Sequence, residues 1–454
     1  METTSIDSGM RRKVLIASVV GTTVEWYDFT IYGIAAAMVL GTQFFPRLSE
    51  TAGLLAAFAT FGVGFLARPL GAAVFGHYGD RIGRKAALVT SLLLMGLGTL
   101  LIGLLPGYEK IGIAAPIALV LLRFVQGVGI GGEWGGAALL AAEYAPAKRR
   151  GLFVAWPQFG NPAGLLLGNA AFLLCRASMS PDAFLAWGWR IPFVASAVLV
   201  VVGFVVRFSL DETPAFRKAL ETRRVERAPV LTVLQHHFGK LLLIGGAFLL
   251  NNSAFYIITT YTLAYVRQHA GGVTPRAALA AQMAGAVVLA AGILFFSWLS
   301  DRIGRKWTVL PLYVAWIVWI WPMFWLLHRG STGAFVAAVV IGTFLTSGYG
   351  PLGAFLLEQF DTRIRYTGGG LGMQVGAIFG GGLSPLIATQ LSASYGLHGV
   401  QIYVAAIAVV SALCVVALKD GAGMSLEALD EHDADAAAKT GFGGGPIAGH
   451  GEMR

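Results

Sequence analysis

Twelve apolar stretches, separated by short polar segments, run along almost the whole chain. Each is roughly 18 to 30 residues long, enough for an α-helix to cross a hydrocarbon layer about 30 Å thick. They predict membrane helices at 14–43, 51–76, 86–105, 114–140, 152–176, 189–208, 239–266, 276–299, 307–327, 333–357, 367–391 and 398–418. The pattern therefore predicts an all-α integral membrane protein with twelve transmembrane helices.

A polar turn occurs twice in this pattern. The six residues Asp80 to Lys85 recur unchanged as Asp301 to Lys306, and both copies lie between two apolar stretches. A carboxylate is also followed twice by basic residues at offsets of five and seven: Glu143 by Lys148 and Arg150, and Glu358 by Arg363 and Arg365. The repetition predicts two six-helix bundles, at 1–208 and 239–420. A charged cytoplasmic linker at 209–238 joins them, and a disordered cytoplasmic tail at 421–454 follows.

Composition supports a membrane protein and excludes an ordinary soluble domain. Hydrophobic residues make up 56% of the 454 residues, charged residues only 13%, and the mean hydropathy is +0.69. The net charge of +9 does not indicate a nucleic-acid partner, because the basic residues cluster at the ends of apolar stretches. Cys175 and Cys414 lie inside apolar stretches without metal or redox spacing, so we expect no cofactor.

The distribution of basic residues predicts the orientation. With the N-terminus inside, segments on the inner side hold twenty-two Lys and Arg residues, and those on the outer side hold seven. Both termini are therefore predicted to be cytoplasmic. The first ten residues lack the pattern of a signal peptide, so we expect the first helix to direct insertion into the bilayer. We expect a monomer.

Five ionisable residues lie inside predicted membrane helices, all in the first half: Glu25, Asp28, Arg68, Arg123 and Glu133. A charge at mid-bilayer costs at least about 2.5 kcal/mol, so such residues indicate function. Glu25 and Asp28 share one face of the first helix near the middle of the membrane. The alternative, internal ion pairs that hold the bundle together, stays open for the arginines. Glu133 is alternatively a structural link to the cytoplasmic gate.

The second half offers only neutral polar side chains near its helix centres, among them Asn251 and Gln282. Candidate substrate-binding residues, besides Arg68 and Arg123, are Tyr32, Gln126, Gln158, Asn161, Asn252, Tyr256, Tyr349 and Gln374. For each of them an interhelical hydrogen bond is the alternative. Charge handling is thus predicted in the first half, and discrimination by size and shape mainly in the second.

Several segments resemble a known family. Gly76–Lys85 resembles the loop 2-3 signature of the major facilitator superfamily, and Arg123–Gly129 resembles its helix-4 signature. Five more segments are similar to its metabolite:proton symporter branch: Val24–Phe29, Gly64–Gly71, Gly131–Gly136, Trp187–Phe193 and Asp211–Thr213. Members of this branch carry shikimate, α-ketoglutarate, citrate, or proline and betaine, and the present chain is most similar to the shikimate type. The resemblance implies two bundles that rock about a central site.

The resemblance also implies a function: proton-coupled uptake of a small shikimate-like mono- or dicarboxylate across a bacterial inner membrane. A carboxylate that gains and loses a proton is needed for coupling, and Asp28, Glu25 and Glu133 are the candidates. Arg123 would attract the anion and compete for the same carboxylate. The repeated turns would then gate the cytoplasmic face through Asp80, Arg81, Arg84, Glu143, Arg149, Asp301, Arg302, Arg305 and Glu358.

Several other functions are alternatives to symport of an acid. A zwitterion such as proline or betaine is an alternative substrate. Gly160–Gly164 partly resembles the antiporter signature of drug exporters, but Asn161 interrupts its Gly-Pro pair. A nutrient sensor needs a signalling domain, and the 34 residues after Asp420 are too short and polar for one. We expect no enzyme, because His236 and His237 have no nucleophile or metal partner set.

Overall fold

The computed structural model describes residues 8–82, 84–208, 229–269, 272–360, 364–425 and 428–429. All regular elements in these ranges are helical. Eight helical stretches there are long and apolar enough to cross a membrane, by length and composition alone. One of them, Thr367–Ala417, is 51 residues long and is broken at Gly396, whose φ of 65° is outside the helical region. It therefore forms two spans.

Joining helical segments that continue one another gives twelve membrane helices in the described ranges. They are α1 (Ser8–Ala35, Ala36–Leu40 and Gly41–Phe44), α2 (Glu50–Ile82), α3 (Arg84–Leu104), α4 (Ala114–Gly131 and Trp134–Glu143), α5 (Arg150–Gln158 and Gly160–Ser178), α6 (Ile191–Phe208), α7 (Phe238–Tyr256, Ile257–Tyr261 and Thr262–His269), α8 (Pro275–Ile303), α9 (Arg305–His328), α10 (Thr332–Thr346 and Tyr349–Leu357), α11 (Arg365–Ala377, Ile378–Gly382 and the part of Ser384–Ala417 before Gly396) and α12 (the part after Gly396). This architecture confirms the predicted all-α fold with twelve transmembrane helices.

Short helices occupy several connections: Tyr108–Ile111, Ala147–Arg149, Pro181–Ala186, Gly188–Arg190 and Pro229–His236. Of the predicted linker at 209–238, residues 209–228 lie outside the described residues. Of the predicted tail at 421–454, only 421–425 and 428–429 are described. The repeated segments 80–85 and 301–306 lie one in each bundle, and the end of the protein that carries both is the motif end.

Glycines let α2 and α4 pack backbone against backbone. Gly127 lies against the carbonyl oxygen of Gly64, and Gly131 lies against that of Arg68. A Cβ atom at either glycine would overlap the neighbouring carbonyl, so no larger residue fits. Small residues at such contacts are how membrane helices approach closely. This packing brings Arg68 on α2 near Arg123 on α4, close enough for the two cations to interact electrostatically.

Within the described ranges, three helices contain a π-helical turn: Ala36–Leu40 in α1, Ile257–Tyr261 in α7 and Ile378–Gly382 in α11. Gln282 of α8 supports the turn in α7, because its Nε2 donates a 2.7 Å hydrogen bond to the carbonyl of Thr259. In α11, Gly381 and Gly382 pack against the ring of Phe65 on α2. Turns of this kind are frequent at functional sites. The π-helical turn of α11 lies beside Phe65, whose ring also contacts the buried Arg68.

Candidate functional site

The five ionisable residues predicted inside the membrane are all buried. Glu25, Asp28, Arg68, Arg123 and Glu133 are each at most 3% exposed. Glu25 and Asp28 lie on α1, Arg68 on α2 and Arg123 on α4, and Glu133 lies at the break in α4 between Gly131 and Trp134. Burial of five ionisable groups in one bundle requires close compensation, because an isolated charge in a low-dielectric interior is strongly unfavourable.

Arg68 contacts two neighbouring aromatic rings, whose centroids are 5.4 Å apart. Its guanidinium carbon is 4.2 Å from the ring centroid of Phe29 and 4.1 Å from that of Phe65. Desolvated cation–π contacts of this kind contribute about 2 kcal/mol each. Arg68 also interacts electrostatically with Glu25 of α1 and with Tyr256 of α7. This arginine of the first bundle therefore faces the second bundle.

Arg123 is held by three helices. Its guanidinium carbon is 3.9 Å from the ring centroid of Tyr32, and its Nη2 donates a 3.3 Å hydrogen bond to the carbonyl of Phe61. Its Nη1 donates to Oε1 of Gln126, one turn along α4. Gly64 provides the space, because an added Cβ would lie 2.6 Å from Nη2. The position of Arg123 is therefore fixed by packing as well as by hydrogen bonds.

Gln126 and Thr99 connect Arg123 to Asp28. Nε2 of Gln126 donates a 2.6 Å hydrogen bond to Oγ1 of Thr99. Oγ1 of Thr99 in turn donates a 2.7 Å hydrogen bond to Oδ2 of Asp28. Thr99 is not among the residues predicted from the sequence, since a lone threonine in an apolar helix usually bonds its own backbone and gives no distinguishing signal.

Aromatic side chains close the centre between the two bundles. The ring of Trp26 on α1 is 5.2 Å from that of Phe255 on α7. The rings of Phe61 and Phe65 on α2 are 5.3 and 5.4 Å from that of Tyr256. Edge-to-face contacts at such distances are favourable and leave little room for water. The buried charges thus lie at the interface between the bundles, where a central site is predicted.

Other predicted binding residues lie around this centre. Tyr32 pairs with Thr60 through a 2.6 Å hydroxyl hydrogen bond, and Tyr349 packs edge-on against Trp26 with centroids 6.1 Å apart. Gln158 of α5 contacts Gly353 of α10 across the bundle interface. Asn161 and Gln374 are buried. These positions are compatible with the predicted lining of a central site.

Two asparagines of α7 contact neighbouring backbone. Nδ2 of Asn251 donates a 2.9 Å hydrogen bond to the carbonyl of Thr346 on α10. Nδ2 of Asn252 donates to the carbonyl of Phe248 in its own helix at 3.3 Å, and its Cβ lies beside Gly380. Asn251 therefore makes the interhelical hydrogen bond that was the alternative reading of such residues.

A network of ion pairs joins the bundles at the motif end. Oε1 of Glu358 is 3.1 Å from Nη1 of Arg150 and 3.1 Å from Nη2 of Arg305. Nη1 of Arg305 is 2.7 Å from Oδ1 of Asp301. Glu358, Arg305 and Asp301 belong to the second half, and Arg150 belongs to the first. The predicted gate residues Asp301, Arg305 and Glu358 are thus in one network.

Asp301 also contacts the start of α5. Its two carboxylate oxygens accept hydrogen bonds from the backbone amides of Gly151 and Leu152, at 2.8 and 2.9 Å. These amides lie in the first turn of a helix, where no intrahelical acceptor exists. A carboxylate of the second bundle therefore caps a helix of the first.

Two predicted gate residues lie outside this network. Arg149 is exposed, whereas its neighbour Arg150 is buried and contacts Glu358. The reason is local, because a 3₁₀ turn ends at Arg149 and α5 begins at Arg150, which directs the second side chain into the bundle. Arg302 stacks on Trp298 of its own helix, with its guanidinium carbon 3.9 Å from the ring centroid. In the sequence repeat, Arg150 follows Glu143 at the same offset at which Arg365 follows Glu358. This correspondence was the sequence signal that could have identified Arg150 as a gate residue.

The side chains of four further gate candidates lie outside the described residues: Asp80, Arg81, Arg84 and Glu143. Within the described ranges, no group of three or more His, Cys, Asp or Glu residues is placed to hold a metal ion.

Two helical bundles around buried charges define a membrane transporter rather than an enzyme. Similarity to known proteins agrees with this class. The family model described as Major Facilitator Superfamily matches residues 18–373. The chain belongs to this superfamily, which confirms the predicted resemblance.

Relatives and a solved structure are similar over nearly the full length. The chain is 42% identical over 417 residues to the "Inner membrane metabolite transport protein YhjE" of Escherichia coli (strain K12), covering 90% of this chain and 93% of that protein. It is 38% identical over 421 residues to the "Shikimate transporter" of the same organism, covering 90% of this chain and 94% of that protein. The structure of the proton:xylose symporter XylE, bound to 6-bromo-6-deoxy-D-glucose, superimposes with a TM-score of 0.76 over 94% of this chain and 100% of that chain. At 16% identity this last likeness shows the fold alone.

Proposed function

We propose that this chain is a proton-coupled symporter that carries a small organic anion, a shikimate-like mono- or dicarboxylate, into the cell across a bacterial inner membrane. The observation that carries the proposal is the pair of buried arginines. Nε of Arg68 and Nε of Arg123 are buried and meet no hydrogen-bond acceptor in the part of the chain that the structure describes.

Such donors suit a carboxylate substrate. Arginine presents its N–H groups in a planar fork that matches a carboxylate, and burial strengthens the interaction. The rings of Phe29 and Phe65 contact the guanidinium of Arg68 from adjacent sides, with the two ring centroids 5.4 Å apart. A relative named as a metabolite transport protein and another named as a shikimate transporter support this substrate class.

The carboxylates of α1 supply a reason for proton coupling. Asp28 interacts electrostatically with Arg123 and with Glu133, and Glu25 interacts with Arg68. When a singly charged anion enters this buried set, protonation of one carboxylate keeps the total charge of the site unchanged, and a dianion needs two such protonations. Without it, the added negative charge would have to be compensated at low dielectric. Asp28 and Glu25 are therefore the proposed proton carriers, and Glu133 is the third candidate.

Alternating access follows from the bundle contacts. At the motif end, which we place in the cytoplasm together with both termini, Arg150 and Glu358 hold the bundles together. At the opposite end, Nη2 of Arg276 on α8 donates a 3.0 Å hydrogen bond to the carbonyl of Arg176 on α5. Opening one contact at a time exposes the centre to one side. Because both bundles flank the site, one chain suffices, and we propose a monomer.

The test is uptake by purified protein in proteoliposomes with an acidic exterior. Labelled shikimate is expected to accumulate inside, and a protonophore is expected to abolish the accumulation. Arg123→Lys keeps the charge but loses the planar fork, so its KM should rise at least tenfold. Arg47→Lys is the matched control, because Arg47 is an exposed arginine that lies over a tyrosine at the opposite end.

Other results would change the assignment. If proline or betaine accumulates and shikimate, α-ketoglutarate and citrate do not, the substrate is a zwitterion. If everted vesicles instead concentrate toxic cations against a proton gradient, the protein is an exporter. Accumulation that persists with a protonophore, or wild-type coupling in both Asp28→Asn and Glu25→Gln, would contradict the proposed mechanism.

A further inference from the structure

We propose that Thr99 and Gln126 are positioning residues that couple anion binding at Arg123 to proton binding at Asp28. The inference rests on the proposed symport function and assigns a role within it. In this scheme Arg123, when it turns to an anion, releases Gln126. The ionised carboxylate of Asp28 then loses support from Thr99 and takes up a proton.

The hydrogen bonds form a chain in which each donor points the same way. Arg123 donates to Gln126, Gln126 donates to Thr99, and Thr99 donates to a carboxylate oxygen of Asp28. The amide of Gln126 cannot be reversed, because its NH₂ group would then face the donors of Arg123. Every link therefore favours the ionised form of Asp28 as long as Arg123 stays in place.

Burial makes the chain sensitive to each link. Thr99, Gln126, Asp28 and Arg123 are each at most 1% exposed, so water does not compete for their polar atoms. In such surroundings a fully satisfied chain is strong and a broken one is costly. Gly98 of α3 leaves room for this packing, since an added Cβ would lie 3.2 Å from Cβ of Gln126.

Thr99 has a second acceptor for its hydroxyl hydrogen. Its Oγ1 lies 2.7 Å from Oδ2 of Asp28 and 3.2 Å from the carbonyl of Met95, one turn earlier on α3. One hydrogen serves only one of the two acceptors well. When Asp28 is protonated, the hydroxyl can donate to Met95 instead and accept from the carboxylic acid. The side chain therefore has a satisfied arrangement in both states.

Other groups around Asp28 do not replace this link. The charged groups that face it are Arg123 and Glu133 of α4, and Tyr27 lies beside it on its own helix. Among the described residues, no ion pair within 4.0 Å joins Asp28 directly to Arg123. All four members of the chain belong to α1, α3 and α4, so the link stays intact when the bundles move relative to each other.

The experiment uses full-length protein in proteoliposomes, with labelled shikimate and an external pH-sensitive dye. Thr99→Val removes the hydroxyl at nearly constant volume, and Thr99→Ser restores it. Thr343→Val is the control, because the hydroxyl of buried Thr343 on α10 donates to the carbonyl of Val339 in its own helix. Two quantities are measured: the protons taken up per shikimate, and the pH profile of shikimate counterflow, an exchange without net proton movement.

For Thr99→Val we expect at least a threefold fall in protons taken up per shikimate. The pH profile of counterflow should move to higher pH by about one unit, because the ionised carboxylate has lost one hydrogen bond. Thr99→Ser and Thr343→Val should match the wild type. If Thr99→Val does not fold, Gln126→Met breaks the same chain and is judged by the same two measurements.

Failure of this inference is distinct from failure of the proposed function. If Thr99→Val, or Gln126→Met in its place, keeps the wild-type proton ratio and pH profile, the coupling role is overturned and symport stands. If wild-type protein takes up no protons with shikimate, α-ketoglutarate, citrate, proline or betaine, the proposed function fails, and the coupling role fails with it.

Discussion

Arg150 and Glu358 lie 208 positions apart in the chain, and their side chains form a buried ion pair of 3.1 Å between the two bundles. The same carboxylate receives Nη2 of Arg305 at 3.1 Å. Both arginines and the glutamate have side chains at most 2% exposed. Loss of one member of such a set leaves the others buried and uncompensated, which is strongly unfavourable. Glu358 is therefore the residue on which closure of the motif end depends.

Glu358→Gln should open the motif end. Breaking a buried pair on one side costs about 3 to 5 kcal/mol, so a shift of at least tenfold toward open states, about 1.4 kcal/mol, is expected. The measurement is the distance between spin labels at Lys148 and Ile303, two exposed positions on opposite bundles. It is made in protein whose two cysteines are replaced by alanine.

Glu109→Gln, an exposed glutamate in the connection between α3 and α4, is the matched control and should leave the distance unchanged. If the distance distribution between the two labels in Glu358→Gln is the same as in the wild type, the Glu358 carboxylate does not keep the motif end closed.

Asp301 should stabilise the fold across the bundle interface. Its carboxylate caps the first turn of α5 through Gly151 and Leu152 and also pairs with Arg305. Loss of a helix cap costs about 0.5 to 2 kcal/mol, and loss of a buried partner adds to this. Asp301→Ala should lower the thermal unfolding temperature in detergent by several degrees. Asp301→Asn should lower it by less, since its side-chain oxygen can still accept a hydrogen bond from one of the two backbone amides. Equal stability of the wild type and Asp301→Ala would contradict the capping role.

The fold was readable from the sequence because its main determinant is local. Twelve apolar stretches of spanning length fix the number of helices, and the repeat of Asp80 to Lys85 at Asp301 to Lys306 locates the two halves. Ionisable residues in apolar stretches also identified Asp28 and Arg123 without any structure. The cost of burying charge made these positions conspicuous.

Side-chain contacts between different helices could not be predicted from the sequence in this way. Arg149 and Arg150 are equivalent in charge, and only the point at which α5 begins decides which of them turns inward. Successive residues on a helix point about 100° apart, so an error of one position changes the contact completely. Thr99 is a common residue whose role depends on what α1 and α4 place beside it. Such a contact leaves no trace in hydropathy.

Gly127 should be indispensable to the packing that brings Arg68 and Arg123 together. Its Cα lies against the carbonyl of Gly64, and backbone atoms cannot move aside for an added methyl group. Overpacking of this kind costs about 1 to 3 kcal/mol. Gly127→Ala should therefore lower the unfolding temperature by several degrees and raise the KM for the anion. Gly370→Ala on α11 is the control, since an added Cβ there meets no heavy atom within 4 Å. Similar stabilities of the two variants would contradict this account.

The segment after α12 should help to hold the motif end closed. Nη2 of Arg150 donates a 2.9 Å hydrogen bond to the carbonyl of Met424, and Oδ2 of Asp420 accepts from the backbone amide of Lys306 at 3.0 Å. The first of these is charge-assisted, and such bonds contribute about 1.5 to 3 kcal/mol. The segment thus contacts Arg150 of the first bundle and Lys306 of the second.

A chain that ends at Lys419 loses both contacts, whereas a chain that ends at Leu429 keeps them. With the same spin-label pair at Lys148 and Ile303, the shorter chain should show a larger open fraction than the longer one, by about tenfold. Asp420→Ala in the full chain should give a smaller change in the same direction, because it removes the contact with Lys306 but not the one between Arg150 and Met424. Identical distance distributions in both truncated chains would show that the bundles close without this segment, through the contacts of Glu358 and Asp301.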